Sequence, residues 1–162
     1  MLLGKLEYEG VVEGNIIRKC VAEVDPKIDR SRVSFRQGDA LDLPADIGPF
    51  DIVLAVNLLD RLKTPRTFLN ALKTIVKSNG IVVIATPFTW LPEFTEPENW
   101  IGGNVDEQGN EVGCFSALND IMESNNFKLI DRVEGGIPFF MRDTKRKFHY
   151  CIAEAGVWHK QD

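Results

Sequence analysis

Residues 36–53 read RQGDALDLPADIGPFDIV. An alternating segment, Val33-Ser-Phe-Arg-Gln37, leads into Gly38-Asp39-Ala40. A short polar turn follows, and then the continuous apolar run Phe50-Asp-Ile-Val-Leu-Ala-Val56. The alternation predicts a half-buried strand over 33–37. The apolar run predicts a strand over 50–56 that is covered on both faces. In an open α/β sheet, ligands sit beyond the carboxyl ends of the strands. Asp39 stands where a ligand-facing acid belongs. The passage comes early, because 32 residues precede Val33, whereas two further strand–helix units need about 60.

Downstream, residues 65–77 (PRTFLNALKTIVK) put Phe68, Leu69, Leu72, Ile75 and Val76 on one helical face. Pro65 suits the first turn and Ser78-Asn-Gly80 stops the helix. Ile81–Ala85 predicts a second fully buried strand. The strand–helix–strand spacing makes the two strands parallel, with a right-handed crossover. Residues 87–113 form a long Pro-, Gly-, Asn- and Glu-rich loop carrying Phe88, Trp90 and Trp100, the kind that is functional or mobile. A helix is expected over 115–125, with Ser116 as its N-cap. Strands over 127–134 and 147–158 are expected to form an antiparallel pair at a sheet edge.

Upstream, residues 5–11 and 15–23 flank Val12-Glu-Gly14 and read as a hairpin, with a short helix over 15–23 as the alternative. Asp25-Pro26 breaks the chain. The fold class is therefore α/β, with parallel strands plus a C-terminal antiparallel pair. Residues 1–162 are read as one incomplete domain, in which 1–32 is a hairpin or linker and 33–162 carries the sheet.

Composition narrows the function. The chain has 162 residues, 44% of them hydrophobic and 27% charged, and a net charge of −5. This argues against a broad nucleic-acid face. The dense basic run Arg142–Lys147 reads as a solvated turn before it reads as a phosphate site. No apolar run reaches the roughly 20 residues of a membrane span, and MLLGKLEYEG lacks the pattern of a signal peptide. The three cysteines, Cys20, Cys114 and Cys151, are odd in number and far apart. They suggest a reducing, cytoplasmic setting and no metal site.

Three predicted strand ends present chemistry. At the first, Asp39 can accept from the exocyclic amine of an adenine, and the Ala40 amide can donate to a ring nitrogen. The second gives Asn57 and then Leu58-Leu-Asp-Arg61. The third gives Thr86-Pro-Phe-Thr-Trp90. Each has a plainer reading: Gly-Asp-Ala ends a strand, Asn57 caps a helix, and the tryptophans pack a loop. The order of the three together favours a nucleoside beside a small flat substrate.

That order resembles the later half of a class I S-adenosylmethionine-dependent methyltransferase. GDALDLPADIGPFDIVLAVNLLDRL, TPFTWLPEFTEPENWIGG and IPFFMRDTKRKFHYCIAEAGVWHK look like the C-terminal methyltransferase domain of ovothiol synthases. KLEYEGVVEGNIIRK resembles the linker that precedes Gly-Asp-Ala there. The resemblance implies a truncated Rossmann-like methyltransferase sheet. It also implies S-adenosylmethionine as cofactor and N-methylation of a mercaptohistidine in ovothiol biosynthesis. It places Asp39, Ala40, Asn57 and Leu58 at the cofactor. It places Arg61, Thr86, Phe88, Trp90, Trp100 and Tyr150 near the acceptor. A neutral thiol-bearing imidazole is already nucleophilic, so positioning and desolvation supply much of the rate. His149 and Asp60 are possible proton acceptors, though structural or solvated roles are the plainer reading.

The sequence departs from that family in one respect. No G-x-G-x-x-G loop is present, and Gly10 and Gly14 have neither its spacing nor a buried strand before them. The family places two strands between the Gly-Asp-Ala strand and the Phe-Asp strand. Without them, 33–37 loses its neighbours and 50–56 becomes an exposed apolar edge. Three outcomes are open: a truncated product, a rearrangement that pairs 33–37 with 50–56, or an edge supplied by a partner or second copy. Activity is thus expected to be impaired in the isolated chain. The alternatives are a non-catalytic binding or interaction module and a fragment of a longer enzyme. A nicotinamide-dependent oxidoreductase fits poorly, because it needs the same absent loop.

Overall fold

In the computed structural model, residues 4–162 are described. They form two compact units: residues up to Gln37 together with Phe140–Cys151, and Gly38–Phe139 together with Ile152–Asp162.

The first unit contains the hairpin. Strands β1 (Lys5–Glu13) and β2 (Ile16–Glu23) pair antiparallel, with a register shift between Val11 and Glu13. Gly14 takes a φ of +52°, which a glycine accepts without a Cβ clash. The hairpin is thus formed, and the helical alternative over 15–23 is not. In the same unit the Lys145 amide donates to the Val12 carbonyl, and Arg146 pairs with Glu13.

The second unit holds most of a five-stranded mixed sheet of order β3-β4-β9-β7, with β8 paired to β9. Its strands are β3 (Phe50–Val56), β4 (Val76–Thr86), β7 (Phe127–Arg132), β8 (Ile137–Arg142) and β9 (Phe148–Lys160). The unit boundaries fall within β8 and β9. β3 and β4 are parallel, as the spacing predicts, whereas β4–β9 and β9–β7 are antiparallel. A two-residue ladder, β5 (Asn104–Val105) and β6 (Glu111–Val112), sits in the long loop.

Helix α1 (Pro65–Ile75) begins on its proline and runs straight into β4. The expected turn at 78–80 lies inside β4 as an irregularity, where the register jumps from Phe50↔Val76 to Ile52↔Ile81. A Cβ on Gly80 would lie 2.7 Å from Val76 Cγ1 and 2.8 Å from the Lys77 carbonyl. Only glycine fits that approach. Helix α2 (Cys114–Ser124) has Gly113 at its N-cap with no side-chain cap, so Ser116 is inside the helix and does not cap it.

The core lies between the two helices and one face of the sheet. Leu59, Leu69, Leu72, Val82, Ile84, Leu118, Met122 and Trp158 are essentially inaccessible. The Trp158 indole donates to Asn119 Oδ1 at 3.0 Å, so the largest core side chain buries no unpaired donor.

Two further expectations are corrected. Residues 33–38 form no strand; Phe35 is 71% exposed and the segment has no ladder partner. The alternation is real, but a strand needs a neighbour for its backbone groups. β3 is not covered on both faces. Val53 and Ala55 face the helices, while Ile52, Leu54 and Val56 are 59%, 66% and 58% exposed. β3 is an edge strand that buries one side only.

Candidate functional site

The carboxyl ends of β3 and β4 lie side by side because the strands are parallel. After Val56 the chain turns sharply: Asn57 adopts φ +52°, and its amide donates to the Ala85 carbonyl at 2.7 Å. Asparagine tolerates this left-handed region better than most residues. Leu58 packs on the core and precedes the 3-10 turn Leu59–Arg61. β4 ends in buried Thr86, and two residues later Phe88 adopts φ +49°. For a bulky side chain this is a true outlier, and such strain gathers at functional sites.

Between these ends lies Asp60, 1% exposed. Its Oδ1 accepts from Thr86 Oγ1 at 3.4 Å. Its Oδ2 accepts from the Thr89 amide at 3.2 Å and from Arg61 Nη1 at 3.1 Å. Arg61 also donates to the Thr89 carbonyl at 3.0 Å and stands 4.9 Å over the Phe94 ring. Both carboxylate oxygens are engaged, so Asp60 organises the site and is not a free base.

The aromatic loop packs onto this network. Phe88 and Trp90 have ring centroids 6.3 Å apart, and Trp90 stacks on Trp100 at 6.4 Å. The Trp100 indole donates to the Thr95 carbonyl at 2.8 Å, and buried Thr95 donates from Oγ1 to the Leu62 carbonyl at 2.7 Å. The structure thus brings together five of the expected acceptor residues: Arg61, Thr86, Phe88, Trp90 and Trp100. Tyr150 belongs to the other unit, where it packs on Phe140 with centroids 5.0 Å apart. His149 is in that unit too, with Nε2 2.8 Å from Asp143 Oδ2.

Asp39 and Ala40 form a separate local turn. Asp39 Oδ1 accepts from the Leu41 amide at 2.8 Å, and Asp39 bridges to Asp42. Ala40 is half-buried against the core. Asp39 is exposed, and Oδ2 makes no protein hydrogen bond among the described residues, so it is free to accept from a base edge. For S-adenosylmethionine, the exposed Asp39 carboxylate has the acceptor chemistry that an adenine amine needs. Among the described residues, the hairpin and the 3-10 turn Arg30–Arg32 occupy the chain before Asp39. No glycine turn opening a helix stands there to cradle ribose and the methionyl group.

Sequence reasoning missed a second group. A cleft of about 750 Å³ is lined by Phe88, Cys114, Arg132, Glu134, Gly136 and Glu154, among others. The Trp90 indole donates to Cys114 Sγ at 3.4 Å, linking the cleft to the Asp60 network. Burial pushes the Cys114 thiol above its ordinary value, against the lowering effect of that hydrogen bond. The Gly135-Gly136 pair was the available signal, since a glycine pair after a strand marks a special turn.

Element order, parallel β3–β4 pair and antiparallel end define a methyltransferase-like α/β fold with a mixed sheet. The same architecture is found in a candidate S-adenosylmethionine-dependent methyltransferase of Listeria monocytogenes. That likeness has a TM-score of 0.53 at 16% identity and covers 84% of this chain and 73% of that one. The 4+2 cyclase SpnF gives a TM-score of 0.50 at 15% identity, over 81% of this chain and 57% of the cyclase. One fold therefore carries more than one chemistry. Over residues 6–84, just under half the chain, the sequence matches the family described as "Methyltransferase domain". It is also 35% identical over 54 residues to ajmaline N-methyltransferase of Rauvolfia serpentina. That stretch is 33% of this chain and spans about a fifth of the plant enzyme, 19%. The match to a methyltransferase family implies S-adenosylmethionine as cofactor. Among the described residues, no helix is long and apolar enough to cross a membrane.

Proposed function

We propose that this chain is an S-adenosylmethionine-dependent N-methyltransferase domain acting on a small thiol-imidazole, a mercaptohistidine of ovothiol biosynthesis. The observation that carries the reading is the Asp60 hub, which fixes Arg61, Thr86 and the Phe88–Thr89 backbone at two adjacent strand ends. The stacked Trp90–Trp100 pair supports a flat acceptor. The ajmaline enzyme's name supports nitrogen as the atom methylated. In this reading Asp39 and Ala40 take the adenine, and Asn57 and Leu58 lie near the methionyl group. S-adenosylmethionine supplies the methyl group. The chain's own residues orient the acceptor and keep water from it.

Two lesser readings accompany this one. The uncovered apolar face of β3 supports self-association. The three free thiols suit a cytoplasmic setting.

A second reading is a binding module without turnover. It is favoured by the hairpin that stands before Asp39 where a cofactor-cradling glycine turn is needed. Calorimetric titration separates the two. The first reading expects heat with S-adenosylmethionine and methyl transfer to a mercaptohistidine by mass spectrometry. Acceptor binding with no cofactor heat at millimolar concentration establishes the second and removes the first.

A further inference from the structure

The cleft beside Phe88 carries an unbalanced charge. Arg132 Nη2 donates to Glu154 Oε2 at 2.6 Å, and its guanidinium lies 3.9 Å over the Phe115 ring. Arg132 is thus neutralised and held in place. Glu134 also lines the cleft, and no ion pair involves it among the described residues. Glu134 is left as the unpaired carboxylate of the cleft lining among the described residues.

The backbone beside Glu134 is fixed. Gly135 and Gly136 have φ of +73° and +74°. A Cβ on Gly136 would lie 2.6 Å from Ile152 Cγ2 and 2.7 Å from the Ala153 carbonyl. The turn that follows Glu134 therefore needs glycine at 136. Phe88 supplies an aromatic wall between this cleft and the Asp60 network.

We propose that this cleft holds a primary ammonium group of the acceptor, with Glu134 as its counter-ion and Phe88 as the wall beside the flat ring. The proposal rests on the acceptor reading above and adds a specificity-determining residue to it. An ammonium donates charge-assisted hydrogen bonds to a carboxylate. A carboxylate as the group set against Glu134 is disfavoured, because Glu134 would repel it and Arg132 is already paired. A des-amino ligand keeps the acceptor's carboxylate, so comparing the two ligands reads the ammonium alone. A divalent cation is disfavoured too, because calcium takes six to eight oxygens and Glu134 is the single uncommitted carboxylate lining the cleft among the described residues.

The test titrates the whole chain with a mercaptohistidine and with its des-amino analogue, a mercaptoimidazole propionate, for the wild type and Glu134→Gln. Melting curves check that the variant is folded. The amine-bearing ligand is expected to bind the wild type at least about tenfold tighter, and the preference to fall to about twofold or less in Glu134→Gln. Equal affinity of both ligands for the wild type overturns the assignment and leaves the acceptor reading standing. A preference that survives Glu134→Gln also overturns it. Failure of both ligands to bind overturns the acceptor reading, and this assignment falls with it.

Discussion

Asp60 and Arg61, adjacent in sequence, form a 3.1 Å ion pair in which the acid is 1% exposed and the base 36%. The asymmetry decides which partner is costly to remove. Arg61→Met strands a buried carboxylate, with only Thr86 and the Thr89 amide left as donors. The loss is expected to be about 3 kcal/mol, at the low end for a broken buried pair because Arg61 is partly solvated. Asp60→Asn keeps the packing and leaves Arg61 in water's reach, so about 1 kcal/mol is expected. Urea denaturation of the two variants gives the order, and a reversed order refutes the hub.

Asp51 on β3 accepts from Lys77 Nζ at 2.8 Å. The Lys77 ammonium, through that hydrogen bond and then its charge, holds the Asp51 carboxyl below its ordinary value. A depressed acid stabilises the fold above its unfolded pKa and loses that stabilisation as pH falls through the folded value. Carbon NMR titration should show a low Asp51 midpoint that returns to normal in Lys77→Met.

Cys114 shifts the other way. Its thiol is pushed up chiefly by burial, while Trp90 opposes the shift. The neutral thiol is the form the fold favours. That contribution is complete below the ordinary thiol pKa and is lost as pH rises through the raised one. Alkylation by iodoacetamide should therefore follow a midpoint above that of free cysteine. Trp90→Phe should raise it further, since the lowering hydrogen bond is gone.

Ile52, Leu54 and Val56 leave an apolar row on β3. Leu54→Lys places a charge in that row without touching the core. Sedimentation velocity at increasing concentration should show association in the wild type and less of it in the variant. Stability should change by no more than about 0.5 kcal/mol, as for other surface substitutions.

Much of this was legible from pattern. The helical face of Phe68, Leu69 and Leu72 and the runs at 50–56 and 81–85 each settled an element, though the run at 50–56 is buried on one face only. Arg61, Thr86, Phe88 and Trp90 stand in the stretches after two predicted strands, and their grouping with Trp100 is what the family resemblance implies. Residues 33–37 misled, because alternation reports amphipathicity and says nothing of a pairing partner. For Asp60 the structural and solvated readings both stood, since nothing local reveals that Thr86 and Thr89, some 26 and 29 residues away, will donate to it. The lining of the Glu134 cleft was hidden for the same reason, the glycine pair aside: Cys114, Arg132 and Glu154 meet only when the sheet forms.

The left-handed Phe88 sets stability and function against each other at a single position. A bulky residue at that φ costs about 1–3 kcal/mol, which the rest of the fold must absorb. Phe88→Gly relieves the strain but removes the ring that faces both Trp90 and the cleft. Its thermal midpoint should therefore fall less than truncation of a core phenylalanine would cause, while affinity for a flat ligand drops. A screen that selects this domain for thermostability alone would drift toward small residues at 88 and erode binding as it succeeded.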